Sequence, residues 1–304
     1  MDKIIRCITS DGSIMAAAID SSDIVHTAQC IHKMGAVATA ALGRLLTASS
    51  IMGTMLKQEI ASITLKINGE GPLGTLVAIA DSKGNCRGSI TNPDVQLPLK
   101  PNGKLDVSAG VGRNGLLLVI RDSGEAEPYM GQISLVSGEI AEDITHYFAT
   151  SEQIPTVCAL GVLLDKDDHK VLLAGGLLIQ ALPGAGEAAL ERLEKNVAEL
   201  PSVTTMLAQG VSIENMCRKA LDGFDVEVLD ELGVSYACPC NKQRVKRAVI
   251  SLPVEEILEI ANEHGKLEAK CHYCGRTHEI GKTELEELAD AMIKQKQPQI
   301  KNLR

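Results

Sequence analysis

The spacing of apolar residues near the N-terminus predicts a β-hairpin followed by a helix. Two short apolar runs, residues 4–9 and 13–18, flank Asp11 and Gly12, and an Asp-Gly pair between such runs is typical of a tight hairpin turn. Serines at 21–22 suit the start of a helix, because a serine side chain accepts a hydrogen bond from the first helical turn. We therefore expect two paired strands and then a helix.

The segment 34–56 is almost wholly apolar or small, so a membrane span must be considered. Arg44 interrupts it, and Ala, Gly, Ser and Thr dominate its composition. Such residues contribute little transfer free energy, and an arginine at the middle of a span costs about 2.5 to 3.5 kcal/mol on insertion scales. We interpret the segment as a helix buried in a protein core, and expect no membrane partner.

The following region alternates between strand-like runs and turn residues. Over residues 60–136, short runs of Val, Ile, Leu and Thr are separated by Gly, Asn, Asp and Pro, which is typical of a meandering, mainly antiparallel sheet. A helix is expected over 140–149, and a hairpin over 156–164 and 170–179. These elements predict an N-terminal domain of mainly antiparallel sheet packed with helices, ending at residue 181.

A composition change at residues 182–186 marks a new segment. Up to residue 231, apolar residues recur at helical spacing and acidic side chains outnumber basic ones. This pattern predicts an amphipathic helical linker, and taken alone it favours an ordinary connector over a client-binding element. The sequence thus predicts an α+β chain with an N-terminal domain at 1–181, a helical linker at 182–231 and a C-terminal domain at 232–304.

Four cysteines of the C-terminal domain form two close pairs. Cys238 and Cys240 are followed, after thirty residues, by Cys271 and Cys274. Two thiol pairs across a loop suit tetrahedral zinc, whose sulfur ligands lie at about 2.3 Å. The spacer is expected to fold back as a helix over 242–250, a second helix over 253–263 and a short strand over 266–270. We predict one zinc ion per chain, bound by these four cysteines.

Spacing alone leaves open whether such a site is structural or redox-active. A single residue separates the first pair, and the basic cluster 242–247 follows it, where cations favour thiolates. Peroxide attacks thiolates, and a neighbouring thiol converts the resulting sulfenic acid to a disulfide, so that zinc is lost. These features favour redox activity. His272 and His278 are weaker ligand candidates because the set of four cysteines is complete.

Composition and charge exclude several classes of function. The formal net charge is -9 and aromatic residues make up 2%, so residues for phosphate neutralisation and base stacking are scarce and no nucleic-acid partner is expected. The seven histidines form no catalytic set and no ATP-binding phosphate loop occurs, so we do not expect an enzyme. The string Gly-x-Gly-x-x-Gly at 69–74 contains Pro72 and precedes a strand, so it predicts a strand connection and no dinucleotide site. No signal-peptide pattern is present, which predicts a cytoplasmic location.

The cysteine pairs, together with the runs at 175–184 and 69–74, resemble the bacterial redox-regulated 33-kilodalton heat-shock chaperone family along the whole chain. The resemblance implies a holdase that is inactive when reduced and zinc-bound. It implies that oxidation forms disulfides, releases zinc, unfolds the C-terminal region and exposes a surface that holds unfolded client proteins. It further implies a homodimer when oxidised, and transfer of clients to ATP-dependent foldases.

The resemblance also implies the roles of the cysteines. All four match the family pattern, and oxidation is expected to join Cys238 to Cys240 and Cys271 to Cys274. Unfolding of the linker is expected to expose Cys217 to mixed disulfides. The cysteines outside the pattern are expected to be small buried hydrophobic residues: Cys7, Cys30, Cys86, Cys158 and Cys217.

Two alternatives from other classes remain at this point. A zinc-ribbon nucleic-acid module has the basic cluster 242–247 as its support, and the acidic chain argues against it. A thiol oxidoreductase would use one cysteine pair catalytically, but neither pair stands between a strand and a helix N-terminus in the thioredoxin manner.

Overall fold

The computed structural model describes residues 1–125 and 127–296, and the chain divides into two compact units, Met1–Ala237 and Cys238–Arg304. The first half of the first unit contains β1 (Asp2–Thr9), β2 (Ile14–Asp20), α1 (Ser22–His32), α2 (Ala36–Gly53), β3 (Ser62–Glu70), β4 (Leu76–Asp81), β5 (Cys86–Ile90), α3 (Val107–Val111), β6 (Gly112–Asp122) and β7 (Tyr129–Ser134). Its second half contains α4 (Ala141–Tyr147) with a π-helical turn (Phe148–Glu152), β8 (Thr156–Leu164), β9 (Val171–Ala181), α5 (Glu187–Glu199), α6 (Val203–Ala208), α7 (Ile213–Ala220) and β10 (Val226–Val234). The second unit contains α8 (Lys242–Val249), α9 (Val254–Glu263), β11 (Lys266–Lys270), β12 (Thr277–Gly281) and α10 (Lys282–Lys296).

The first sheet has its strands in the order β10-β1-β2-β9-β8, and all of these pairs are antiparallel. Both predicted hairpins are confirmed within it. Strands β1 and β2 turn at Asp11 and Gly12, where Gly12 has a φ of 71°, a conformation that suits glycine. Side chains of β1 alternate between the faces, so that Ile4 enters one core and Ile5 enters another. Both faces of this sheet are therefore covered.

Helix α2 is the predicted core helix, and this interpretation is confirmed. It packs between the first sheet and a second one, because its core includes Ile19 of β2 and Leu65 of β3. The helix is long and apolar enough to cross a membrane, yet 89% of it is buried inside the protein. The charge of Arg44 is paired at the end of its side chain, where Nη1 donates to the Glu139 carboxylate at 2.7 Å.

The second sheet has the order β5-β4-β3-β6-β7 and confirms the predicted antiparallel meander. It differs from the prediction in the short helix α3, after which β6 returns to pair with β3. The glycines of the 69–74 string have two different roles. Gly74 has a φ of 69°, whereas a Cβ at Gly69 would lie 2.4 Å from the Gly112 carbonyl oxygen. Close backbone approach, more than the turn itself, therefore excludes a side chain at Gly69.

Helices α5, α6 and α7 cover the outer face of the first sheet. Leu193, Met206 and Met216 from these helices share a core with Ile14 and Ile179 of the sheet. The amphipathic pattern of the segment after residue 182 thus corresponds to helices whose apolar sides are packed on the sheet. An ordinary connector packed on the sheet was the favoured interpretation of this pattern, and this packing agrees with it.

The segment 226–231 differs from the sequence prediction, which places it in a helical linker and ends the N-terminal domain at 181. It belongs to β10, which pairs along the whole of β1 and completes the first sheet. Arg6 of β1 binds Asp230, and Lys3 Nζ lies 2.5 Å from the Glu231 carboxylate. Two of the acidic residues assigned to the linker, Asp230 and Glu231, are therefore cross-strand partners of basic residues far away in the sequence.

The second unit matches the predicted elements closely. The two helices and the short strand expected in the spacer are α8, α9 and β11, and Pro253 stands at the residue directly before α9. Strand β11 forms a hairpin with β12, and α10 follows directly. Among the described residues, the buried core of this unit is small, and half-buried apolar side chains pack against it; its buried members are Val249, Val254, Ile257, Ala261, Ile280, Leu285 and Ala289. The predicted fold class, α+β with antiparallel sheets and a C-terminal four-cysteine unit, is confirmed.

Candidate metal centre

Two local structures bring the four cysteines of the second unit together. Cys238 and Cys240 lie in the irregular segment before α8, whose N-cap Asn241 accepts a hydrogen bond from the Arg244 N–H at 2.9 Å. Cys271 and Cys274 lie in the turn between β11 and β12. Short-range turns thus hold each pair, and the fold of the spacer brings the pairs to one place.

The turn of the second pair is held by its own backbone. The Cys271 N–H donates to the Arg276 carbonyl at 2.8 Å, and the Gly275 N–H donates to the Cys271 carbonyl at 2.9 Å. Gly275 has a φ of 69°, a conformation that residues with a Cβ adopt at a cost. A glycine directly after the second pair is therefore part of the geometry that points both sulfurs the same way.

The four sulfur atoms lie within 4.8 Å of one another. Across the pairs, the Sγ atoms of Cys238 and Cys271 are 3.7 Å apart and those of Cys240 and Cys274 are 3.3 Å apart. Four sulfurs at about 2.3 Å from one ion in tetrahedral geometry would be roughly 3.8 Å apart. All four are free thiols. The donor set and its spacing fit a metal ion with the preferences of zinc.

The local environments shift the pKa values of these cysteines in different directions. Burial opposes ionisation of Cys271, but the backbone N–H groups of Cys274 and Tyr273 offset this, and together with the neighbouring thiols they lower the pKa of Cys271 to about 7. Burial raises the pKa of Cys238 and, more strongly, that of Cys240. In the metal-free site, Cys271 of the second pair therefore ionises more readily than Cys238 or Cys240 of the first pair.

His278 lies beside the site, on β12. Its Nε2 is 3.3 Å from the Sγ of Cys240, and it is half-buried, whereas His272 is exposed. Against a thiolate, which can only accept, Nε2 must carry the proton and donate it. Among the described residues, the four converging ligand atoms all come from cysteines. His278 therefore lies where it can hydrogen-bond to a candidate ligand, and it is not one of the four.

The basic cluster 242–247 has a different role from the one expected. Lys242 Nζ lies 2.5 Å and Lys246 Nζ 2.8 Å from the two carboxylate oxygens of Glu284 on α10. These cations lower the pKa of Glu284 to about 2. The shift at Cys271 instead comes from burial, backbone N–H groups and neighbouring thiols. The expectation that this cluster activates the thiols is therefore not supported, and two of its cations are already paired.

The remaining cysteines divide into three environments. Cys7, Cys86 and Cys217 are fully buried and Cys158 is half-buried, as expected for small hydrophobic residues. Cys30 is exposed, with its Sγ 3.7 Å from His26 Nε2, so the expectation of burial is wrong for it. Sequence reasoning missed that Cys7 of β1 and Cys217 of α7 are buried in the same core. Nothing in the local sequence indicates that residues this far apart in the chain share a core.

A small unit in which four reduced sulfurs converge, following a two-sheet unit with a helical cover, defines a protein with a candidate four-thiol metal centre. Comparison with known proteins shows the family to which the chain belongs. A family model described as Hsp33 protein matches residues 2–281. The chain therefore belongs to the Hsp33 family.

Similar proteins agree along the whole length. The chain is 44% identical over 291 residues to a 33 kDa chaperonin of Clostridioides difficile strain 630, covering 96% of this chain and 99% of that one. It is 41% identical over 287 residues to a 33 kDa chaperonin of Geobacillus sp. strain WCH70, covering 94% and 97%. The crystal structure of the 33 kDa chaperonin (heat shock protein 33 homolog) of Thermotoga maritima superimposes with a TM-score of 0.87 at 34% identity, covering 96% and 99%. The family resemblance of the sequence is confirmed, and with it a chaperone class.

Proposed function

We propose that this protein is a redox-regulated, ATP-independent holdase of the cytoplasm that binds unfolded proteins when its four-cysteine site is oxidised. The observation that carries the proposal is the convergence of four reduced sulfurs within 4.8 Å. Zinc, when bound there, keeps the four sulfurs deprotonated and contributes folding free energy to a unit that has little core of its own.

The redox step proceeds at the sulfurs of this site. Peroxide oxidises one thiolate to a sulfenic acid, and the adjacent thiol displaces hydroxide from it, so that an S–S bond forms and two electrons pass to the peroxide. We propose pairing of Cys238 with Cys240 and of Cys271 with Cys274. Cross-pair contacts exist only while the unit is folded, whereas each pair stays close in the unfolded chain, where loop closure is least costly. Once the sulfurs are paired, they no longer bind zinc.

Loss of the metal would unfold the second unit. Structural zinc in small peptides contributes about 10 to 16 kcal/mol of apparent binding free energy, as large as the whole stability of a typical domain. The seven buried residues of its core cannot replace that contribution. We propose that this unfolding also loosens the segment 182–231.

The client surface would then be the outer face of the first sheet together with the apolar sides of α5 to α7. Detachment of these helices would uncover Ile5, Ile14, Leu177 and Ile179, which are fully or almost fully buried in the closed form. A contiguous apolar patch of this kind binds unfolded chains and promotes self-association. This supports a homodimer in the oxidised state, and release of clients to ATP-dependent foldases because the chain has no ATP-binding loop of its own.

The nucleic-acid alternative has weaker support than the basic cluster 242–247 suggests. Lys242 and Lys246, half of the basic cluster on which it depends, are paired with Glu284. A four-thiol site in an acidic chain is better explained by a metal-dependent switch.

The test uses reduced, zinc-loaded full-length protein exposed to peroxide at a mildly unfolding temperature. Zinc release and suppression of light scattering by an aggregating client are recorded in the same samples, without ATP. We expect about one zinc per chain to leave as suppression appears. If zinc leaves and suppression never appears, the site is structural and the holdase proposal fails.

Variants sharpen the same test. Cys238→Ser and Cys271→Ser should each lower zinc content and uncouple suppression from oxidation, because each removes one sulfur of the site. Cys158→Ala, a half-buried cysteine of the first unit, is the matched control and should leave both unchanged. Equal effects of all three substitutions would contradict the assignment of the four-cysteine site.

A further inference from the structure

Strand β10 is attached to the first sheet mainly through its backbone. It pairs antiparallel with β1 along the whole of that strand, from Asp2 to Thr9. Of the nine residues of β10, however, Val234 alone is buried, and Val228 and Leu229 are 42% and 51% exposed. On the other side of β1, most residues of β2 are buried. Backbone hydrogen bonds, more than apolar burial, therefore hold β10 in place.

Two cations of β1 add charge complementarity to this pairing. Arg6 Nε donates to Asp230 Oδ1 at 2.9 Å, and Lys3 Nζ lies 2.5 Å from the Glu231 carboxylate. The first pair is half-buried and the second exposed, so these contacts select a partner more than they stabilise it. Without β10, the edge of β1 would present a row of unpaired N–H and C=O groups beside two cations. Such an edge binds extended chains through their backbone and favours acidic ones.

A short segment after β10 fastens its C-terminal end. The Ala237 N–H donates to the Cys86 carbonyl at 2.8 Å, and the Tyr236 hydroxyl donates to the Gly88 carbonyl at 3.0 Å, so β5 of the second sheet holds this segment. The next residue is Cys238 of the candidate metal centre. When the second unit unfolds, residues 235–237 become the end of the ordered chain, and ends held by few bonds fray first. Loss of the metal is therefore expected to release β10 from this end.

We propose that the edge of β1 is a strand-addition site, occupied by β10 in the reduced protein and by an extended segment of an unfolded client protein after oxidation. The edge adjoins the outer face of the first sheet, because Ile5 and Cys7 of β1 belong to the core on that face. A bound client would place apolar side chains on this face and pair its backbone with β1. Backbone pairing explains how one site holds proteins of unrelated sequence. This binding mode rests on the proposed function, since it requires the oxidised protein to hold clients.

Residue-resolved hydrogen exchange on the full-length protein tests the site. Backbone N–H groups of an interior antiparallel strand alternate between its two neighbours, so the β1 groups that face β2 are an internal reference and should stay protected throughout. Oxidation should remove protection from β10 and from the β1 groups that face it. The client probe is reduced, carboxymethylated α-lactalbumin, a permanently unfolded acidic chain. At saturation it should slow exchange of these β1 groups by about tenfold or more, while β10 stays unprotected.

Three outcomes would overturn the strand-addition site. Strand β10 would keep its protection after oxidation, or the β1 groups that face it would stay unprotected while the client is bound. Alternatively, protection of these β1 groups would return without client as the protein concentration rises, which would assign the edge to a second copy of this chain. Failure of the holdase proposal is distinguishable from all three, because it appears as zinc release without suppression of client aggregation.

A charge-reversal variant tests the edge through client affinity. After complete zinc release, Lys3→Glu should bind the same acidic client about two- to fivefold more weakly than the wild type, because like charges then face each other across the edge. Lys66→Glu is the matched control, since Lys66 is an exposed lysine on β3 of the second sheet, and it should bind as the wild type does. Fluorescence anisotropy of the labelled client provides the affinities. Equal affinities for the two variants would overturn the charge preference of the edge.

Discussion

The two units of this chain are stabilised in opposite ways. The first unit buries α2 between two five-stranded sheets and covers the outer face of one sheet with further helices, so apolar burial supplies its stability. The second unit buries few side chains and gathers four thiols instead. We therefore expect the two sheets and α2 of the first unit to stay folded whatever happens to the thiols of the second unit. Under the proposed function, the fold of the second unit depends on a metal ion that oxidation can remove.

Under the proposed function, this difference explains how one chain can contain both a redox sensor and a stable client-binding surface. A sensor must unfold in response to a small chemical change, which requires that one removable interaction outweighs the rest. The surface uncovered at that moment must stay folded, which requires a large core.

Removal of zinc should unfold the second unit and leave the sheets of the first intact. The free energy withdrawn, about 10 to 16 kcal/mol for structural zinc sites, exceeds what a seven-residue core supplies. Hydrogen exchange on chelator-treated protein should show lost protection in α9 and β11 and retained protection in β1, β2 and α2. Re-addition of zinc is the control and should restore α9. Protection of α9 that survives chelation would remove the distinction between the units.

Truncation of one core side chain should lower zinc affinity when it is made in the second unit and thermal stability when it is made in the first. Ile257→Ala in α9 should lower apparent zinc affinity by an amount equivalent to about 2 to 5 kcal/mol, because folding and metal binding are coupled there. Leu45→Ala in α2 should destabilise the first unit by a similar amount, also about 2 to 5 kcal/mol, with zinc affinity unchanged. Competition with a chromophoric chelator and thermal unfolding provide the two measurements. A fall in zinc affinity for Leu45→Ala would show that the units are not independent.

The smallest expected effect concerns a neighbour of the thiols. His278→Ala removes the N–H donor beside Cys240 and should weaken zinc binding by about 10- to 100-fold, as loss of hydrogen-bonding partners of metal ligands typically does. His272→Ala, at an exposed histidine next to Cys271, is the matched control and should bind zinc as the wild type does. Equal affinities for the two variants would assign His278 to the surface, without a role at the metal centre.

Local patterns predicted most of the elements of the second unit and the convergence of its four cysteines. The spacer helices, the strand before Cys271 and the convergence of the two pairs follow from capping residues, periodicity and ligand spacing, all of which act over a few residues. The core helix α2 was predictable for the same reason, since its composition fits neither a surface helix nor a lipid-exposed one. Such signals are present in any short window of the sequence.

Strand β10 shows why other features could not be predicted. Apolar and acidic residues do not alternate in β10 regularly enough to indicate a strand. The segment is a strand because β1 offers an open edge and basic partners such as Lys3. The ion pair between Glu284 and Lys242 could not be predicted from the sequence for the same reason. These interactions join residues far apart in the chain, and no local pattern encodes them.

The sequence by itself determined the family, the four cysteines of the candidate metal centre and the kinds of elements, because these depend on residue types and short spacings. Only the tertiary structure decided which residues became neighbours across the chain. It placed α5 to α7 on the outer face of the first sheet, placed the His278 side chain beside the Cys240 sulfur, and buried Cys7 and Cys217 in one core. Contact between distant residues is set by how whole layers pack, and packing is a property of all the elements together.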